Sequence, residues 1–187
     1  MTTTRIVTGH DESGRSQIIS CGPLAGSEEF THSRGFSAAV VWRTAPVPEL
    51  INQPLDPAPG MVSVVPAPGG TSVLLVTFPP DSLAGGVNYD PVAAAEELCS
   101  RLPGLGECFE ADHPGFHRTD TIDYGVVLEG EITLELDEGC TRQLKQGDLV
   151  VQMGTRHAWR NTSNKPARLL FVLVGAKRKQ LRGFEVW

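Results

Sequence analysis

No two cysteines in this chain stand two residues apart: Cys21, Cys99, Cys108 and Cys140 are scattered, without a C-x-x-C pair. That spacing speaks against a zinc knuckle or a disulfide framework and fits reduced thiols in a cytosolic protein. Basic runs are equally scarce. The longest is Lys177-Arg178-Lys179, read as a solvated end, and a formal net charge of -6 leaves no electrostatic footing for nucleic acid. No apolar stretch approaches a membrane span, and Met1 to His10 lacks the apolar core of a signal peptide. A cytoplasmic protein with no membrane partner is therefore expected.

Helical signals are also few. Only one segment carries a start and a stop: Asp90 can cap it, Pro91 suits the first helical position, Val92 to Arg101 supplies helix formers, and Pro103-Gly104 ends it. The Gly69-Gly70 and Gly85-Gly86 pairs lack the strand-to-helix setting of a phosphate-binding loop and read as turns. There is no internal repeat.

What the chain does contain is short strands. With 187 residues, 40% of them hydrophobic, it is long enough for one well-buried core and one domain. Residues 5–8 and 17–20 form an expected hairpin about the turn at His10 to Arg15. Residues 36–43 and 71–78 read as a second β pair, separated by a Pro-rich surface loop from Pro46 to Gly70. Ile132, Leu134 and Leu136 alternate with Glu131, Thr133, Glu135 and Asp137, as a half-buried strand requires, and Asp137-Glu138-Gly139 is the turn that follows. Strands are further expected at 142–144, 149–151, 157–161 and 168–174. Many short strands joined by glycine-rich turns predict an all-β sandwich or barrel, best a double-sheet jelly roll.

Two polar clusters lie within this β-rich region. The first is His117-x-Thr119-x3-Asp123-x6-Gly130; the second is Gly147-x6-Gly154-x2-His157-x3-Asn161. Imidazole nitrogen and carboxylate oxygen are side-chain ligands that catalytic divalent metals favour, and a set of two histidines and one carboxylate leaves coordination positions open. His117, Asp123 and His157 are that candidate set. Even spacing puts His117, Thr119 and Asp123 on one face of an extended strand, with His157 arriving from a neighbour. The same three residues also allow a metal-free pocket, in which a carboxylate tunes a histidine for proton transfer.

The two clusters resemble the two motifs of the cupin superfamily. His117 takes the place of the first motif histidine, Thr119 that of the second, Asp123 that of the glutamate and Gly130 that of the closing glycine. Gly147, Gly154, His157 and Asn161 match the second motif, where Gln152 replaces a proline. The stretches His117 to Gly130 and Gly154 to Asn161 are similar to a subgroup of small single-domain cupins, some linked to secondary metabolism, and Arg5 to Asp11 shares the resemblance.

The resemblance implies a cupin-type double-stranded β-helix with an N-terminal β extension and one short helix. Its parts would be residues 1–80 packing on the barrel, 81–112 as helix and connecting loop, and 113–187 as the motif region of one compact domain. It implies a small-molecule substrate, a divalent transition metal (iron, zinc or manganese) on His117, Asp123 and His157, and a homodimer formed through strand edges. Thr119, Tyr124 and Trp159 are candidate substrate contacts, and His113 is a candidate contact or replacement ligand for the histidine absent at 119. The leading functional expectation is a lyase that decarboxylates or dehydrates a small carbonyl or hydroxy acid through an enolate, or isomerises or cyclises it. The alternatives are a ferrous-iron dioxygenase and a non-catalytic binding module.

Overall fold

A computed structural model describes residues 3–83 and 89–179; the Gly85-Gly86 turn lies outside the described residues. Strands β1 (Thr4–His10) and β2 (Ser16–Pro23) pair antiparallel as a separate two-stranded sheet. Their turn is built by Asp11, whose carboxylate accepts from the backbone N–H groups of Ser13 and Arg15, both at 2.9 Å. Such an Asx turn supplies locally the partners that a ladder would otherwise provide.

Strands β3 (Ser37–Thr44), β4 (Thr71–Phe78), β5 (Thr121–Glu129), β8 (Leu149–Gln152) and β10 (Ala167–Gly175) form a five-stranded antiparallel sheet in the order β3-β4-β10-β5-β8. Facing it, β6 (Glu131–Glu135), β7 (Thr141–Lys145) and β9 (Ala158–Arg160) form a three-stranded sheet in the order β7-β6-β9. The N-terminal half thus divides in two. The first hairpin shares no ladder with either barrel sheet but touches β3, where Arg5 donates to the Val41 carbonyl, whereas β3 and β4 belong to the barrel sheet itself, joined to it through the β4 ladder on β10.

The core lies between the two sheets. Every second residue of β10, from Ala167 through Leu169, Phe171 and Leu173 to Gly175, is buried, which is the period-2 signature of a strand with one face inward. These side chains join Val40, Leu74, Val76 and Val127 from the same sheet and Ile132, Leu134 and Leu144 from the other. A smaller cluster of Leu24, Ala39 and Leu75 covers part of the outer face. The result is the jelly-roll arrangement of a double-stranded β-helix.

The single α-helix among the described residues, α1 (Pro91–Arg101), has the boundaries its sequence predicts: the Asp90 carboxylate accepts from the N–H groups of Val92 and Ala93. Its outer residues hold the loop before β3. Glu97 accepts from the backbone of Thr31 and His32, and the Arg101 guanidinium lies 3.9 Å from the Phe30 ring centroid.

Candidate active site at the barrel interior

His117 and His157 meet where two extended segments cross-pair just outside the regular strands. Each donates its backbone N–H to the other's carbonyl at 3.0 Å, and the ring centroids are 4.4 Å apart. Phe109 stacks on His117 at 4.2 Å, and the Trp159 ring stands edge-on to His157 at 5.8 Å. Both imidazoles are oriented in the same way: the Nδ1–H of His117 donates to the Gly115 carbonyl at 3.1 Å, and that of His157 to the Thr155 carbonyl at 3.0 Å. A carbonyl can only accept, so Nδ1 carries the proton in both rings and each Nε2 presents a lone pair. Burial, and then the neighbouring His157, push His117 down to about 4, while burial also lowers His157. Both rings are therefore neutral near pH 7.

Thr119 and Thr121 continue the inner face from His117, with their hydroxyls 2.6 Å apart. Asp123 follows, 8% exposed, and burial raises its carboxyl to about 6 against a smaller lowering by the Thr121 hydroxyl. Directly across the ladder stands Gln152, also buried. Its Oε1 accepts from Thr155 Oγ1 at 3.0 Å.

The structure thus brings His117 and His157 together but does not complete the three-ligand set. Among the described residues, no three His, Cys, Asp or Glu side chains converge as a metal-holding group. The two imidazoles fit a metal in their free Nε2 atoms and carbonyl-bound Nδ1 groups; the third ligand is what the geometry does not supply.

Other candidates fall elsewhere. His113 is 62% exposed and places Nδ1 3.2 Å from Glu110, so it is turned to an acid and to solvent. Tyr124, next to Asp123, lies on the opposite face and is 52% exposed, so it does not line the interior; adjacent strand residues alternate faces. Trp159 is both neighbour to His157 and part of the core, with the Phe171 ring 5.5 Å away. The basic tail run is not a free solvated end either. Arg178 donates to Asp120 at 2.7 Å and to the carbonyls of Thr119 and Gly154 at 3.0 Å.

Two motif residues are structural. Asn161, 1% exposed, donates from Nδ2 to the carbonyls of Phe78 and Lys165 and accepts on Oδ1 from Ser163, tying the segment after β9 to the end of β4. Gly130 has φ 75°, and a Cβ there would sit 2.6 Å from the Pro166 carbonyl oxygen. Sequence reasoning missed Thr121, Phe109 and the inward role of Gln152. Thr121 shares the even spacing of 117, 119 and 123, so that signal was present; the partners of Phe109 and Gln152 arise only from pairing across the fold.

A barrel of this form with two inward histidines at its cross-paired end defines a cupin. The cupin-domain family model matches residues 109–173. Phomopsin biosynthesis cluster protein C' of Diaporthe leptostromiformis is 38% identical over 184 residues, covering 97% of this chain and 83% of that protein. Protein D of the same cluster and organism is 35% identical over 192 residues, with the same coverage of each. A cupin-domain-containing oxidoreductase, virC, of Hypocrea virens is 42% identical over 64 residues, 33% of each chain. The chain belongs to the cupin family, among small members related to proteins of secondary-metabolite biosynthesis clusters.

Proposed function

We propose that this cupin is an enzyme that moves a proton on a small carbonyl or hydroxy-acid metabolite, acting as a lyase or isomerase through an enolate. The observation that carries this reading is the histidine pair: two neutral imidazoles in contact, each with Nδ1–H held by a backbone carbonyl and Nε2 left to accept. Nε2 of one ring takes an acidic C–H or O–H proton from the substrate. The apolar walls of Phe109 and Trp159 keep water from competing for that lone pair. The imidazolium so formed returns the proton to the enolate carbon, while the buried Asp123 remains an acceptor. Because the third ligand is not gathered, no step is routed through a metal.

The test is incubation with small β-keto acids and hydroxy ketones in deuterated water, read by NMR for deuterium incorporation and product. Exchange that disappears in His157→Ala supports the reading; exchange unchanged by that substitution contradicts it. A second reading, oxidation, is supported by the likeness over 64 residues to the Hypocrea virens cupin-domain-containing oxidoreductase. Oxygen consumption coupled to product formation would select it. A homodimer is proposed alongside. The edge strand β8 exposes Leu149 and Val151, with Met153 just beyond it, and an uncovered apolar edge favours pairing. Light scattering should then give about twice the 20.1 kDa chain mass.

A further inference from the structure

Among the described residues, four buried side-chain polar atoms have no hydrogen-bond partner: Arg43 Nε, Ser72 Oγ, Asp123 Oδ1 and Gln152 Nε2. The ladders place all four residues on one transverse row of the five-stranded sheet. Arg43 opposes Ser72, Ser72 opposes Leu173, Leu173 opposes Asp123, and Asp123 opposes Gln152. Residues directly opposite across a ladder share a face, and Leu173 belongs to the core, so this row faces the barrel interior. Ser72, Asp123 and Gln152 are 0%, 8% and 4% exposed. A buried polar atom without a partner is costly to keep. Four on one row, and none elsewhere among the described residues, mark a place built for a ligand rather than scattered packing faults.

The Asp123–Gln152 end has a defined polarity. In the structure Thr155 Oγ1 donates to Gln152 Oε1, and Nε2 is the donor left on that side chain. Opposite it, Asp123 Oδ1 accepts. A carboxylate ligand would meet the Asp123 charge, and a ketone or ester would leave Asp123 unanswered. A lactam or primary carboxamide presents N–H and C=O side by side and answers both. Arg43 separately lines a pocket of about 260 Å³ with Thr44, Pro46, Pro66 and Gly70, and the buried Leu173 lies between Ser72 and the Asp123–Gln152 pair.

We propose that the row Arg43–Ser72–Asp123–Gln152 is a recognition strip for an amide-bearing small molecule, with Asp123 accepting the ligand N–H and Gln152 donating to its carbonyl. This assigns a substrate class to the interior in which the histidine pair acts, and so rests on the proposed function. It is nevertheless testable by binding alone.

The probes are δ-valerolactam, δ-valerolactone and cyclohexanol, which share ring size and differ in hydrogen-bonding capacity. In the full chain, titration with lactam should shift the Gln152 side-chain NH2 resonances, assigned by their disappearance in Gln152→Met. Lactone and cyclohexanol should bind at least about fivefold more weakly. Gln152→Met should weaken lactam binding about tenfold, as loss of one hydrogen bond beside a charge allows. Equal binding of the three rings to the wild-type protein would overturn the proposal whether or not the variant folds, as would lactam shifts that leave the Gln152 resonances untouched. Measuring the lactam in His157→Ala separates the two ideas: retained binding with lost turnover supports both, whereas turnover that survives in His157→Ala beside lactam-selective binding contradicts only the proposed function.

Discussion

The two polar regions of the barrel interior differ in how their hydrogen bonds are satisfied. At the His117–His157 pair each ring has its Nδ1–H placed on a backbone carbonyl, so the tautomer is fixed and one lone pair per ring remains. Along the Arg43 to Gln152 row, buried donors and acceptors are left without partners. The first region is organised to act on a hydrogen, the second to wait for a group that completes it. A site that reacts is held by its own backbone, while a site that recognises leaves its capacity for the ligand.

The largest expected effect that sharpens this contrast is on turnover. His157→Ala removes one acceptor of the pair, and turnover of the substrate found by deuterium exchange should fall by roughly 10²–10⁴-fold, the usual contribution of a positioned acid or base. A single-turnover assay checks it. If Tyr124→Phe lowers the rate as much, the assignment of the interior is wrong, because Tyr124 lies on the outer face.

Next is the pH dependence of stability in chelator-treated protein, where the two regions pull in opposite directions. His117 falls from 6.5 unfolded to about 4 folded, so it takes up a proton in the unfolded chain first, and stability is lost as pH drops through that window. Asp123 rises from 3.8 to about 6, so it holds a proton longer when folded, and stability is lost as pH climbs through its own window. Each is worth up to about 3 kcal/mol, and the two largely offset between pH 4 and 6. Asp123→Asn should unmask the histidine contribution as a steeper rise of stability with pH in denaturant melts. An unchanged slope would place Asp123 outside the buried interior.

Asn161→Ala should destabilise the fold by about 1–3 kcal/mol, since the Phe78 and Lys165 carbonyls lose their donor. Chemical denaturation checks it. The smallest effect is expected at Ser72. Removing an unpartnered hydroxyl by Ser72→Ala should leave stability unchanged or raise it by up to about 1 kcal/mol, and a loss larger than that would reveal a partner for Ser72 and weaken the row.

Much of this organisation was readable in the chain because it is local. The cap and stop of α1 sit in Asp90-Pro91 and Pro103-Gly104, the strands in their period-2 alternation, and the histidine pair in two motifs with even spacing. What was not readable depends on which strand lies beside which. Gln152 reads only as a departure from a motif proline until β8 is paired with β5, and Ser72 and Arg43 carry no signal until β4 is paired with β10 and β3 with β4. His113 and Tyr124 show the converse: residue type and nearness in sequence favoured them, but a turn toward Glu110 and the alternation of faces take both away from the interior.

The most direct test of the central claim is the protonation state of the two imidazoles. Nitrogen-15 NMR of the chelator-treated full chain across pH 4–8 reads tautomer and titration together. The account expects both His117 and His157 as the Nδ1–H tautomer, titrating below the ordinary histidine value, with His117 near 4. Nε2–H tautomers would contradict a pair of free acceptors and with it the proposed chemistry; titration of both rings near 6.5 would contradict their burial.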